Sequence, residues 1–278
     1  MDKKNNRWRI KSIILIVSFY LLISLFFLRG IIFSPGLIRG GDWGLPGTLL
    51  QMDRYFKDLL YTWSNIALFG DASFFLNRLP FGVLTGLMAT IGITGEVYSK
   101  LILIFVFVPP ALSMYLLCRF LGCFKKVAFL GGFLYITMPF FFNYAAIGWF
   151  GVIFSMSLLP LAIIFFIKSV RKERVTYSLL TGFLYFLAML QSQTLFWYPL
   201  VFLCLIIFLA EDKKTFISYI KSLLVVFLIF FGLNIYFWLP LFLNGGSGSV
   251  VLQTKLGLSA PSLGTWVRLS YLNLLRPS

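Results

Sequence analysis

Long apolar runs, separated by short basic or glycine-rich interruptions, set the pattern of this chain. The runs lie at 12–34, 101–119, 127–143, 149–168, 175–196, 198–210 and 222–243. Most approach the roughly 20 residues that a helix needs to cross a hydrocarbon core. A transmembrane barrel would instead show segments of about 10 residues with alternating polarity, and these are absent. The pattern predicts an all-α integral membrane protein of about seven transmembrane helices, with a long first extracytoplasmic loop at 35–100.

That loop carries two predicted surface elements. Over 48–69, Leu49, Met52, Phe56, Leu59, Trp63, Ile66 and Ala67 recur at three- and four-residue spacing, with Gln51, Asp53, Arg54, Lys57 and Asp58 on the other faces. This is an amphipathic helix, with Thr48 as N-cap, Gly70 as stop, and Tyr61 and Trp63 as interfacial anchors. The second element, 79–94, contains Pro80, Gly82, Gly86 and Gly92. It is short for a crossing and poor in helix formers, and reads as a juxtamembrane or re-entrant helix.

Charge fixes the expected orientation. If 79–94 does not cross, four basic clusters fall on the same side of the membrane: Lys3 to Lys11, Arg119 with Lys125 and Lys126, Lys168 to Arg174, and Lys213 to Lys221. The positive-inside rule then makes that side cytoplasmic. The chain divides into a cytoplasmic basic tail at 1–11, a transmembrane domain at 12–243 and an extracytoplasmic tail at 244–278. The tail opens on the flexible run Gly245-Gly246-Ser247-Gly248-Ser249. The chain's N-terminus reads as an uncleaved signal anchor, because its apolar part is too long for a signal peptide and no small-residue cleavage site follows.

Composition agrees. Hydrophobic residues make up 60% and charged residues 12%, against about 45–50% and about 25% in soluble domains. A net charge of +15 would point to nucleic acid in a soluble protein, but here the basic residues sit at segment ends and serve topology, so no nucleic-acid partner is expected. Cys118, Cys123 and Cys204 have no histidine near them and read as buried or interfacial thiols. With no histidine in the chain, Ser–His–acid catalysis and histidine metal sites are excluded. No GxGxxG or P-loop motif is present. Ionisable residues are scarce in mid-segment, which argues against proton pumps and ion-coupled carriers.

Candidate chemistry therefore falls on the outer face. Asp42 lies in Gly40-Gly41-Asp42-Trp43-Gly44-Leu45-Pro46, just past the first apolar run. Its glycines permit close approach of backbone to a ligand, and a lone carboxylate there suits a general base. The same pattern also suits an aspartate bonded to its own backbone in a turn. Asp53 with Lys57, and Arg54 with Asp58, read as helix-surface pairs. Glu96 is expected at the outer end of the second span. Arg39, Arg78 and Lys100 are outer-face cations that suit a lipid phosphate or ordinary headgroup contacts. Two segments join amides to aromatics: Asn143-Tyr144 through Trp149, and Gln191-Ser192-Gln193-Thr194 followed by Phe196-Trp197-Tyr198. Amides bond sugar hydroxyls and ring faces pack on sugar C–H faces, so Gln191, Gln193 and Trp197 suit a glycan. An aromatic belt with interhelical hydrogen bonds accounts for the same residues.

A signal anchor, a long outer loop with an early acid, two juxtamembrane helices and a helical bundle together resemble the GT-C superfamily of membrane glycosyltransferases. The nearest likeness is to multi-span prokaryotic proteins related to arabinofuranosyltransferases and to the YfhO-like group. The likeness is carried by Gly41 to Pro46, Tyr61-Thr62-Trp63, Phe69-Gly70, Arg78-Leu79-Pro80, the Tyr115 to Gly122 end of the second span, and Gln191 to Tyr198. It implies a sugar donor on polyprenyl phosphate and transfer on the outer face of the plasma membrane to a glycan or lipid acceptor. It also implies Asp42 as catalytic base or as an aid in placing a divalent metal. Arg39, Arg78 or Lys100 would stabilise the departing phosphate, and Trp43 belongs to the same substrate-facing motif. The chain departs from the family in having no second acid at 143–149 and no paired-acid metal motif, and its end in the outer tail suits a fragment of a longer protein. The alternative expectation is a non-catalytic carrier or flippase for lipid-linked glycans, or a membrane scaffold.

Overall fold

The computed structural model describes residues 3–37, 46–60, 63–64, 71–72, 79–146, 149–189, 194–235 and 239. In chain order the helices are α1 (Lys3–Ile32), α2 (Leu49–Leu60), α3 (Leu79–Thr90), α4 (Gly95–Phe120), α5 (Lys125–Thr137), α6 (Pro139–Ala146), α7 (Phe150–Arg171), α8 (Val175–Ala188), α9 (Thr194–Leu209) and α10 (Lys213–Leu233). Between α2 and α3, β1 (Trp63–Ser64) pairs antiparallel with β2 (Asp71–Ala72). Among the described residues four helices are long and apolar enough to cross a bilayer: α1 from Ile14, α4, α7 and α10. Shorter apolar helices lie at Phe81–Thr90, Val175–Ala188 and Leu195–Leu209.

Local chemistry explains the boundaries. α2 opens with a capping box, in which Thr48 Oγ1 accepts from the Gln51 N–H while Gln51 Oε1 accepts from the N–H groups of Gly47 and Thr48. The expected N-cap is therefore present. The helix stops at Leu60 rather than near residue 69. Tyr61-Thr62-Trp63 is an aromatic and β-branched run that favours extended backbone, and Trp63-Ser64 pairs with Asp71-Ala72. Met52, fully buried, and Phe56 turn the apolar face of α2 onto α3. There Gly86 makes room, since a Cβ at that position would stand 2.7 Å from Phe56 Cγ.

α3 and α4 both end in a Schellman motif. The Gly92 N–H bonds the Ala89 carbonyl and the Ile93 N–H the Met88 carbonyl; Gly122 and Cys123 repeat the pattern on Arg119 and Cys118. Both glycines hold positive φ, at +78° and +94°, which a residue with Cβ adopts only at a cost. The predicted span 127–143 is split into α5 and α6. Met138 is extended, at φ −59° and ψ 137°, because the residue before Pro139 is pushed out of the helical region and Pro139 has no N–H to donate. The span predicted at 175–196 stops early, α8 ending at Ala188, and the span predicted at 198–210 starts early, α9 beginning at Thr194.

The span predicted at 222–243 begins earlier, at Lys213, where Asp212 is the N-cap and accepts from the Thr215 N–H at 2.7 Å. The hydrogen bonds from Thr215, with a smaller contribution from the Lys214 charge, hold the Asp212 carboxyl below the usual carboxylate range. Its folded pKa being depressed, the cap stabilises fully above the unfolded pKa and is lost as pH falls through the folded one. Thermal unfolding of the solubilised protein should show the wild-type margin over Asp212→Ala shrinking as pH drops below about 4. The margin of Asp212→Asn, which caps without a titrating group, should stay flat.

Two apolar clusters form the core. One joins α1, α2, α4, α5, α6 and the start of α7; the other joins α7, α8, α9 and α10. Contacts fix the directions of the helices. The Lys100 ammonium donates to the Ser34 carbonyl at one end of the bundle, while Tyr20 lies midway, donating to the Phe129 carbonyl and stacked on its ring. At the opposite end the Lys168 ammonium lies 5.5 Å from the Phe120 ring, and Ser222 of α10 bonds both Ser169 of α7 and Ser178 of α8. The basic clusters of the α4–α5, α7–α8 and α9–α10 connections thus gather at one end, and the direction of α1 brings its first turns there too. The grouping of basic segments expected from sequence is present.

Candidate functional site

The opposite end of the bundle holds a cavity of about 850 Å³. It forms where the break at Met138-Pro139 turns the chain into α6, opening a space against the first turns of α7 and α9. Tyr135, Met138, Phe140, Tyr144, Met156 and Trp197 line it. The aromatic walls support one another. Phe140 and Tyr144 have centroids 4.3 Å apart, Tyr144 and Trp149 5.4 Å, and Tyr135 and Phe141 5.0 Å in an edge-to-face pair. Trp197 is 52% exposed and Phe196 74%, so the mouth of the cavity is aromatic and open.

Buried tyrosine and serine hydroxyls hold the α9 wall in place. The Tyr198 hydroxyl donates to the Ser155 carbonyl at 2.7 Å, and Ser155 Oγ donates to the Ala188 carbonyl. The Tyr185 hydroxyl donates to the Leu195 carbonyl at 2.8 Å, and Tyr185 stacks on Tyr198 and on Phe230. The Ala188 carbonyl closes α8, and the Leu195 carbonyl stands four residues before Pro199, which has no N–H, so both would otherwise lack a partner in an apolar setting. Tyr135 does the same for the Met156 carbonyl inside α7, four residues before Pro160. Near this end, at the close of α10, buried Asn234 donates to the Phe230 carbonyl; no donor among the described residues reaches its Oδ1.

A second feature lies at the N-terminus of α4. Glu96 accepts from Lys100 at 2.7 Å and from the Gly36 N–H at 3.0 Å, and Lys100 also donates to Ser34. Gly95 lies against Pro46 and Gly47 so closely that a Cβ there would collide with both carbonyls. Leu37 in turn lies against Gly47. The chain thus leaves α1 and re-enters before α2 at the same place, with both feet on the first turn of α4.

The predicted site residues divide accordingly. Asp42, Arg39, Trp43, Arg78, Gln191 and Gln193 lie outside the described residues. Trp197 and Tyr144, from the two amide–aromatic segments, meet in one cavity, whereas Asn143 is exposed and does not line it. Lys100 is engaged by Glu96 and Ser34, and Glu96 sits at the start of α4. Asp53 and Lys57 form the expected helix-surface pair at 2.6 Å. The three cysteines are free thiols. Sequence reasoning missed the contributions of Tyr135 and Phe140; the signal was Pro139, inside what looked like one apolar run. Among the described residues no three His, Cys, Asp or Glu side chains gather as a metal site.

Comparison with protein-family models, with curated proteins and with solved structures gives no match in any of the three.

Proposed function

We propose that the chain is a GT-C-type membrane glycosyltransferase. In this reading it moves a sugar from a polyprenyl-phosphate donor to a cell-envelope acceptor, at the end of the bundle where the aromatic cavity opens. The observation that carries the proposal is the meeting of Tyr144 and Trp197 in one cavity, at the end remote from the basic clusters. By the positive-inside rule that end is extracytoplasmic, in the plasma membrane, and the N-terminus cytoplasmic. About seven crossings follow if α5 with α6, α8 and α9 complete the four long helices.

An aromatic, half-open cavity suits a ligand that is part isoprenoid and part sugar. In the proposed step the Asp42 carboxylate takes the proton of an acceptor hydroxyl. The hydroxyl oxygen forms a bond to the anomeric carbon as the bond from that carbon to the phosphate oxygen breaks, and the electron pair leaves with the phosphate. Arg39 and Arg78 neutralise that phosphate, while Lys100, engaged by Glu96, positions the chain around residues 34–37. Gln191, Gln193 and Trp197 hold the sugar.

The protein reconstituted with a polyprenyl-phosphate-linked sugar and an acceptor should release free polyprenyl phosphate. A carrier using the same cavity would move the intact donor across the bilayer without releasing it. Trp197→Ala should raise KM about 10-fold, for the loss of about 1.4 kcal/mol of ring packing, and leave kcat nearly unchanged. An unchanged KM would remove Trp197 from the site.

A further inference from the structure

At the basic end, the last turn of α7, the first turn of α8 and the N-terminal half of α10 enclose a second cleft of about 250 Å³. We infer that this cleft binds the phosphodiester headgroup of an anionic membrane lipid. It is separate from the aromatic cavity, which lies at the other end of the bundle and shares only α7 with it.

Its floor is polar and its rim is charged. Ser169, Ser178 and Ser222 are 6%, 4% and 7% exposed and joined hydroxyl to hydroxyl, one from each helix. Ser169 also donates to the Phe166 carbonyl, so the chain of hydroxyl protons runs inward and leaves oxygen lone pairs facing the cleft. Three hydroxyls from three helices, with Ser218 lining the same cleft, make this a poor place for a hydrocarbon chain and a good one for headgroup hydroxyls. Arg174 and Lys221 line the rim, and among the described residues neither forms an ion pair. Arg174 is the N-cap residue of α8, and no side chain caps that helix. The first N–H groups of α8 therefore add their partial positive charge on the same side as the two cations.

Glu173 also lines the cleft, in the left-handed region at φ +49°. That conformation is costly for a residue with Cβ, so it marks a constrained turn at the rim. A carboxylate there opposes a bare anion and accepts hydroxyl protons, which favours a phosphate carrying a polyol over inorganic phosphate. Arg171 and Lys172 immediately precede Glu173 in the chain and add positive charge at this end of the bundle. A cleft between spanning helices, at their basic end, lies at the depth where lipid phosphates reside.

The test uses the full chain in nanodiscs of phosphatidylcholine containing phosphatidylglycerol, with bound lipid counted by native mass spectrometry. The wild type should retain phosphatidylglycerol at least 5-fold over phosphatidylcholine. The double variant Arg174→Gln, Lys221→Gln should lose that preference, and Arg174→Lys, Lys221→Arg should keep it. Lys126→Gln, Lys214→Gln, at the same end but outside the cleft, should also keep it. Equal retention by the Gln double variant overturns the inference, as does equal loss in the Lys126, Lys214 pair, which would mean diffuse surface attraction. Displacement of the lipid by millimolar inorganic phosphate, with no effect of the same concentration of chloride, would reassign the cleft to free phosphate. If the Gln double variant does not fold, the charge-keeping pair decides against Lys221→Met alone, with loss expected only in the latter.

Discussion

Replacing Gly132 with valine should destabilise the protein by about 1–3 kcal/mol and lower its thermal midpoint in detergent. Gly132 lies on α5 at the point where α1, α4 and α5 meet. A Cβ there would collide with the Tyr20 hydroxyl of α1 and with the backbone carbonyl of Ala111 in α4. The first neighbour is the tip of a side chain, but it is a fully buried one, held by the Phe129 carbonyl and stacked on the Phe129 ring at 5.1 Å. The second is backbone and moves only with its helix. In lipid, helices gain little from hydrophobicity and associate through close packing, for which small residues at the contact are needed. Valine would force α5 away from both partners and leave the Tyr20 hydroxyl without its acceptor, a further cost in a buried place. Gly232→Ala is the matched control. It lies on α10 with no heavy atom within 4 Å of an added Cβ, and its midpoint should hold or rise slightly. Equal losses in the two variants would contradict the packing described for α1, α4 and α5.

Much of this fold was legible in the chain, and the parts that were not have physical reasons. α7 was legible because its apolar run is bounded by Trp149 on one side and by Lys168 to Arg174 on the other, so composition and boundary agree. The start of α2 was legible because Thr48 and Gln51 stand at capping-box spacing. The end of α2 was not. Trp63, Ile66 and Ala67 continue the helical spacing, yet the strand-prone Tyr61 to Trp63 run and the pairing with Asp71-Ala72 prevail. The start of α10 was hidden because its first turns carry Lys213, Lys214 and Lys221, which hydropathy reads as loop, whereas the cap at Asp212 sets the boundary. The α5–α6 break was written in Pro139 but masked by apolar residues on both sides.

The candidate sites show the same contrast. Tyr144 and Trp197 were each legible as polar–aromatic spots at helix ends, but nothing in a one-dimensional pattern brings Tyr135, Phe140 and Trp197 around one cavity. The serine cleft left still less trace. Ser169, Ser178 and Ser222 lie in three separate helices, and only packing assembles them.

On the proposed glycosyltransferase reading, Asp42→Asn should lower the rate of sugar transfer by roughly 10²–10⁴-fold, the range set by removal of a positioned general base. Asparagine has nearly the same shape but cannot take a proton, so the binding of donor and acceptor should persist while the chemical step fails. KM should change little and kcat should carry the loss, the sign of a group used in the transition state. On either side of the substitution the chain is tied to the first turn of α4: Ser34 and Gly36 are held by Lys100 and Glu96, and Pro46 and Gly47 lie against Gly95. The most direct measurement is therefore single-turnover release of polyprenyl phosphate from a polyprenyl-phosphate-linked sugar by wild type and Asp42→Asn in the same lipid, with thermal midpoints measured in parallel. The account predicts release by the wild type and its loss in the variant at an unchanged midpoint. Release by Asp42→Asn at the wild-type rate, or no release by the wild type with any such donor, would contradict it.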